Sequence, residues 1–217
     1  MEIINRLLVP AQEIRREFKV QNSRFIATLA YADSVDAART IITRIQKEFP
    51  DASHHIPAFI IGHGASQLSH CSDAGEPSGS AGRPVLAVLK GSGLGDVVVV
   101  VTRYFGGTNL GIGGLVRAYG DAVRTVINNV PRAYKLNAHT IRLEYSYPYV
   151  ERIRLLAQVH VGQIVTEDFG SDVIMTAHIP VENLSAFECD IAELTNGVVK
   201  VEVTTTSEIL LPILNSG

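Results

Sequence analysis

Cysteine is scarce in this 217-residue chain. There are two, Cys71 and Cys189, far apart and in neither a CxxC nor a zinc-type spacing. No disulfide framework follows from such a pair, and two free thiols suit a reducing compartment. Long apolar runs are missing too. The longest, residues 97–101, is strand-sized, far from the roughly 18–20 residues of a membrane span. The first ten residues are mildly apolar, carry Glu2 and lack a small-residue cleavage pattern, so no secretory leader is expected. The expectation is a cytoplasmic protein with no membrane partner.

The nucleotide signatures with fixed spacing are absent as well. No Walker loop and no GxGxxG dinucleotide fingerprint occurs, and no nucleophile triad can be picked out. His54 and His55 are neighbours in a strand-like run, so they face opposite sides and cannot share one metal ion. His63 and His70 have no ligand spacing. No metal and no cofactor are expected.

What is present is ordinary globular composition, 46% hydrophobic and 19% charged, with a net charge of -3. The charge is uneven. Residues 1–136 hold 15 Lys+Arg against 11 Asp+Glu, a balance of +4; residues 137–217 hold 4 against 11, a balance of -7. This split points to two units, residues 1–132 and 137–217, with a linker around Pro131.

In the first unit, residues 14–20 and 24–31 read as strands around an Asn22-Ser23 turn. A helix capped by Ser34 follows and ends at Pro50. Residues 54–61 read as a strand whose Pro57 implies an edge or a bulge. A long Gly-rich loop spans residues 62–83, and Pro84 opens a short helix ended by Gly91. Residues 95–103 form a valine-rich strand buried on both faces. A second Gly-rich loop, residues 106–111, feeds a helix over 112–129. In the second unit the order is strand 139–145, helix 149–159, strand 163–169, strand 173–179, helix 181–194 and strand 198–205. That is the βαββαβ order of a ferredoxin-like fold. The fold class is α+β.

Two segments can carry chemistry. Ser72-Asp73-Ala74-Gly75-Glu76-Pro77-Ser78-Gly79-Ser80-Ala81-Gly82-Arg83-Pro84 puts two carboxylates, three glycines and an arginine ahead of a helix. Glycine lets backbone amides come close to an anion, and the Arg83 fork matches carboxylate or phosphate. Asp73 and Glu76 are also an acid–base candidate pair, although three residues of loop fix no geometry. The second segment runs from Arg103 through Tyr104, Gly106, Gly107, Gly111, Gly113 and Gly114 to Arg117. It leaves a buried strand and enters a helix, a junction that points free N–H groups and a positive helix end at whatever lies above it. The plainer readings are a solvated turn-rich loop and close strand–helix packing. Tyr104, Phe105 and Tyr119 would stack on bases in a nucleic-acid site, but such rings are more often core.

The strings SDAGEPSGSAGRP and VTRYFGG…LGIGGLVRAYG resemble the signatures of the IMPACT/YigZ family. NSRFIA, which contains Arg24, and the strand carrying His54 fit the same order. The resemblance implies a left-handed βαβ N-terminal domain, like the second domain of a small-subunit ribosomal protein. It also implies a ferredoxin-like C-terminal domain like the last domain of elongation factor G. Its implied role is translation-associated binding or regulation, with RNA, the ribosome or a translation-regulatory protein as partner. The binding residues would be Asp73, Glu76, Arg83, Arg103, Tyr104, Gly106, Gly107, Gly111, Gly113, Gly114, Arg117, His54 and Arg24. Ala74 and Asn109 depart from the family pattern, which more often has an acidic residue and a lysine there. The alternative is an enzyme, a hydrolase or phosphotransferase, acting on an anionic small molecule at the same loops. A noncatalytic role is the preferred expectation.

Overall fold

The computed structural model describes residues 7–213. Two compact units result, one built on residues 7–134 and the other on Lys135–Leu211.

The first unit contains β1 (Leu7–Pro10), β2 (Ile14–Val20), β3 (Ser23–Tyr31), α1 (Val35–Glu48), β4 (His54–Ile61), β5 (Leu68–Cys71), α2 (Gly82–Gly91), β6 (Val97–Tyr104) and α3 (Gly111–Ile127). Five of its strands form an antiparallel sheet in the order β2-β3-β6-β4-β5. β3 and β4 both run antiparallel to β6, so they are parallel to each other with β6 between them. α1 makes the crossover that joins them.

Strand periodicity decides which side chains meet which helices. Phe25, Ala27 and Leu29, then Val97, Val99 and Val101, then Ile56, Ala58 and Ile60, pack against α2 and α3. The alternate residues Ala30, Val98 and Phe59 pack against α1. Every valine from Val97 to Val101 is buried, each worth roughly 1.5–3 kcal/mol on folding. The continuous apolar run is therefore the central strand of a sheet covered on both faces, as its composition implied. α1 starts at Ser34, whose hydroxyl accepts the Ala37 N–H.

The structure corrects several sequence expectations. Pro57 is not at an edge or a bulge: β4 lies inside the sheet, and Pro57 pairs in register with Val100. Its carbonyl takes the Ser72 N–H. In an antiparallel strand a residue's N and O point to the same neighbour. The missing donor thus faces the β5 side, where the ladder ends at Ala58–Cys71, and no β6 bond is lost. The long loop over residues 62–83 is interrupted by β5, and the N-terminal stretch contains β1.

The linker expected near Pro131 is taken over from Arg132 by a long strand, β7 (Arg132–Tyr145). β7 is followed by α4 (Val150–Val159), β8 (Gln163–Phe169), β9 (Val173–Pro180), α5 (Leu184–Thr195) and β10 (Glu202–Pro212). β10 begins later than the sequence suggested. The strands are ordered β10-β7-β9-β8. Counted within the second unit this is 4-1-3-2, the antiparallel ferredoxin-like arrangement. Ile141, Leu143, Met175, Ala177 and Ile179 pack one sheet face against Ile153 and Ala157 of α4 and Phe187 and Ile191 of α5. α5 ends on left-handed Asn196 and Gly197.

Candidate functional site: a cavity between two glycine loops

Parity along β6 carries Arg103 onto the same face as Val97, Val99 and Val101, toward α2 and α3. The register sets His54 of β4 directly opposite Arg103 on one side and Phe25 of β3 on the other. Arg103 is 4% exposed, and an unpaired guanidinium there would be expensive. Its partner is Glu76, from the loop ahead of α2: Arg103 Nη1 donates to Glu76 Oε1 at 2.6 Å. Arg103 Nη2 reaches the buried Ser23 hydroxyl at 3.2 Å. Arg103 Nε is buried without a hydrogen-bond partner among the described residues.

Glu76 Oε1 also accepts the Tyr119 hydroxyl at 2.6 Å. Tyr119, fully buried on α3, is held neutral: burial first, then the bond and charge of Glu76, push its phenol far above the usual range. Both bonds fall on Oε1. Oε2 has no partner among the described residues, and it is not one of the sealed polar atoms.

The Glu76 loop is shaped by Asp73. Its carboxylate accepts the N–H groups of Gly79 at 2.8 Å, Ala81 at 3.1 Å and Gly82 at 2.8 Å, and so closes the start of α2. Burial works to raise the Asp73 pKa, but the three N–H bonds outweigh it and hold the carboxyl below its ordinary range. Gly82 permits the closure, because a Cβ there would lie 2.8 Å from the Ser72 carbonyl.

His54 is fixed by this loop as well. Its Nδ1 is 3.0 Å from the Ala74 carbonyl, which requires a proton on Nδ1. In the neutral ring Nε2 is then the bare nitrogen, and it lies 4.0 Å from Glu76 Oε1.

The second glycine loop closes the space from the opposite side. Gly106 passes so close to β3 that a Cβ would sit 1.9 Å from the Asn22 carbonyl oxygen. Its N–H reaches the Ser23 hydroxyl. α3 begins at Gly111 with no side-chain cap and no acidic residue in its first turn. Gly111, Gly113 and Gly114 strip side chains from that turn and leave the N–H end and its partial positive charge uncovered.

Between these parts lies a cavity of about 540 Å³, walled by His54, Glu76, Arg103, Phe105, Gly111 and Ile112 among others. Such a volume falls in the range of small-ligand sites. Phe105, at its rim, is 47% exposed. The Arg103 guanidinium stands 5.4 Å from its ring centroid, and its N–H is held by Ser53.

The expected residues do not all gather here. His54, Glu76, Arg103 and Gly111 line the cavity, while Asp73 and Gly106 shape its walls. Gly107 follows Gly106 with a positive φ, and Gly113 and Gly114 lie in the first turn of α3. Arg83 and Arg117 are exposed and outside the cavity wall. Arg24 and Tyr104 project from the opposite face of the sheet. There Arg24 pairs with Glu17 at 2.8 Å and lies 5.2 Å over the Tyr104 ring. Tyr104 donates to Asp51. His55 also faces that side, between Thr102 and the Phe49 carbonyl.

Ser23 is not among the expected site residues, and Tyr119, weighed as a base-stacking ring or a core ring, is core. The signal is available in part: Arg103 shares the parity of three core valines, so it requires a buried counter-charge, and that carboxylate in turn accepts from a further donor, here Tyr119. Among the described residues no group of three metal-ligating side chains converges. No helix among them is long and apolar enough to cross a membrane.

Residues 21–127 match the Impact N-terminal domain, and residues 143–198 match a domain of unknown function, DUF1949. IMPACT family member YigZ of Escherichia coli (strain K12) is 36% identical over 191 residues, covering 88% of this chain and 94% of that protein. An IMPACT family member of Haemophilus influenzae is 32% identical over 202 residues, covering 93% and 98%. A crystal structure of a hypothetical protein aligns with a TM-score of 0.61 at 33% identity, covering 94% of this chain and 99% of that one.

Proposed function

Because the chain belongs to the IMPACT family, we propose that it is a cytoplasmic, translation-associated binding protein whose N-terminal unit contacts RNA of the ribosome through the cavity between its two glycine loops. The observation that carries this reading is the uncapped start of α3 opening onto that cavity. A helix N-terminus free of acidic side chains attracts phosphate through its N–H groups and partial charge. The buried Arg103–Glu76 pair beneath is neutral as a unit, so it holds the walls without cancelling that attraction. The basic balance of residues 1–136 favours an anionic partner.

The test is co-sedimentation with ribosomes across a salt series. Association that weakens with salt, and weakens further on replacing exposed Arg83 and Arg117 with Ala, supports the reading. No association at low salt overturns it.

One feature favours the enzymatic alternative. His54 is held by Nδ1 with Nε2 beside Glu76 at the cavity, an arrangement suited to moving a proton. Turnover of a phosphorylated small molecule that is lost in His54→Ala would establish it. No turnover of any such compound leaves the binding reading alone.

A further inference from the structure

The ligand at the cavity can be narrowed, on the premise that the protein binds RNA there. We propose that the cavity takes one unpaired nucleotide: its phosphate at the start of α3, its base against Phe105, and a hydrogen-bond donor of base or ribose on Glu76 Oε2.

Three independent features converge on that ligand. The first is size. A cavity of about 540 Å³ has room for one nucleoside monophosphate, and a base enters it only when splayed out of a stack.

The second is Phe105. It is half-exposed at the rim, with its backbone fixed by Ser53 and the Arg103 guanidinium against its ring. A ring held from behind by a buried cation is a platform for a base.

The third is the acceptor in the wall. Glu76 is held rigidly through Oε1 by Arg103 and Tyr119, with its side chain 3% exposed. Oε2 is left without a partner among the described residues. A carboxylate oxygen so placed accepts from an amino, imino or hydroxyl group, which a bare phosphate dianion does not offer. Inorganic phosphate satisfies the α3 end alone, whereas a nucleotide satisfies both ends.

The experiment titrates the full chain with adenosine 5′-monophosphate, adenosine, inorganic phosphate, a 5′-phosphorylated single-stranded RNA hexamer and the same sequence as a blunt duplex. Binding is followed by calorimetry, beside ribosome sedimentation of the same preparations. The nucleotide and the single-stranded hexamer should bind, and adenosine, phosphate and duplex should bind at least tenfold more weakly. Phe105→Ala should weaken the nucleotide by roughly 5- to 150-fold, the equivalent of one base-stacking contact. It should leave the fold intact, since Phe105 is half-exposed. Ile112→Glu, at the second position of α3, should abolish nucleotide binding by placing a carboxylate where the phosphate sits.

Phosphate binding as tightly as the nucleotide would overturn the inference and leave an anion site. Duplex binding as tightly as the single strand would overturn it too. Ribosome association without nucleotide binding would overturn it while leaving the RNA reading standing, on another surface. Loss of both would overturn the two together.

Discussion

Removing the Glu76 carboxylate strands two groups at once. In Glu76→Met, the buried Arg103 guanidinium loses its counter-charge and the Tyr119 hydroxyl its only acceptor among the described residues. Breaking a buried ion pair from one side costs about 3–5 kcal/mol, and an unmet buried hydroxyl adds roughly 1–3 kcal/mol. Together these approach the whole stability of a small unit, ~5–15 kcal/mol. Arg103→Met should cost about 3–5 kcal/mol by the same argument, leaving Glu76 with Tyr119 alone. The variant carrying both changes leaves only the Tyr119 hydroxyl unmet, and adding Tyr119→Phe removes that as well. The triple variant should therefore be more stable than Glu76→Met although it carries two more substitutions. Hydrogen exchange of β6 and α3 amides in a urea series resolves this unit from the other. If the triple variant is the least stable of the set, the three side chains are not one closed network and the reasoning fails.

Other substitutions probe the two loops. Gly106→Ala drives a Cβ into the Asn22 carbonyl, 1.9 Å away, so backbone must move; a loss of at least about 1–3 kcal/mol is expected in urea unfolding. Asp73→Asn weakens the three N–H bonds that close the loop onto α2, at a cost of roughly 1 kcal/mol. Its pH dependence follows from the sign of the shift. The folded pKa of Asp73 lies below the ordinary 3.8, so its contribution is complete above about pH 5, falls once pH drops below 3.8 and is lost as pH passes through the folded value. The stability gap between wild type and Asp73→Asn should be constant from pH 5 to 7 and should close below 3.8, as thermal unfolding in acid buffers would show. Replacing exposed Arg83 and Arg117 with Ala should leave Tm within about 2 °C, since surface changes lie within ~0.5 kcal/mol, and should flatten the salt dependence of ribosome association.

Much of the fold was legible because its signals are local. The valine run over β6, the Ser34 cap of α1 and the βαββαβ order of the second unit each follow from periodicity and turn chemistry. What was missed depends on pairing partners. Pro57 is an edge signal by itself; only the length of β5 shows that its missing donor falls where a ladder has already ended. The linker near Pro131 was inferred from composition, whereas β7 extends through it by pairing. In the site, the two loops were recognisable from their glycines, but their meeting was not. Arg103, Tyr119 and Ser23 lie in three elements and Glu76 in a loop; the sheet register sets Arg103 beside the start of β3, and the packing of α3 and the loop supplies the rest. The same register sends Arg24 and Tyr104 to the opposite face, which neighbouring positions in the sequence conceal.

The most direct test of the account is ribosome co-sedimentation of wild type against Ile112→Glu. Ile112 is 66% exposed, so the change removes no core packing, and a carboxylate in the first turn stabilises α3 by about 0.3–1 kcal/mol. The account predicts a variant at least as stable as wild type that no longer sediments with ribosomes at a salt concentration where wild type does. Undiminished sedimentation of this folded variant would contradict a phosphate contact at the start of α3.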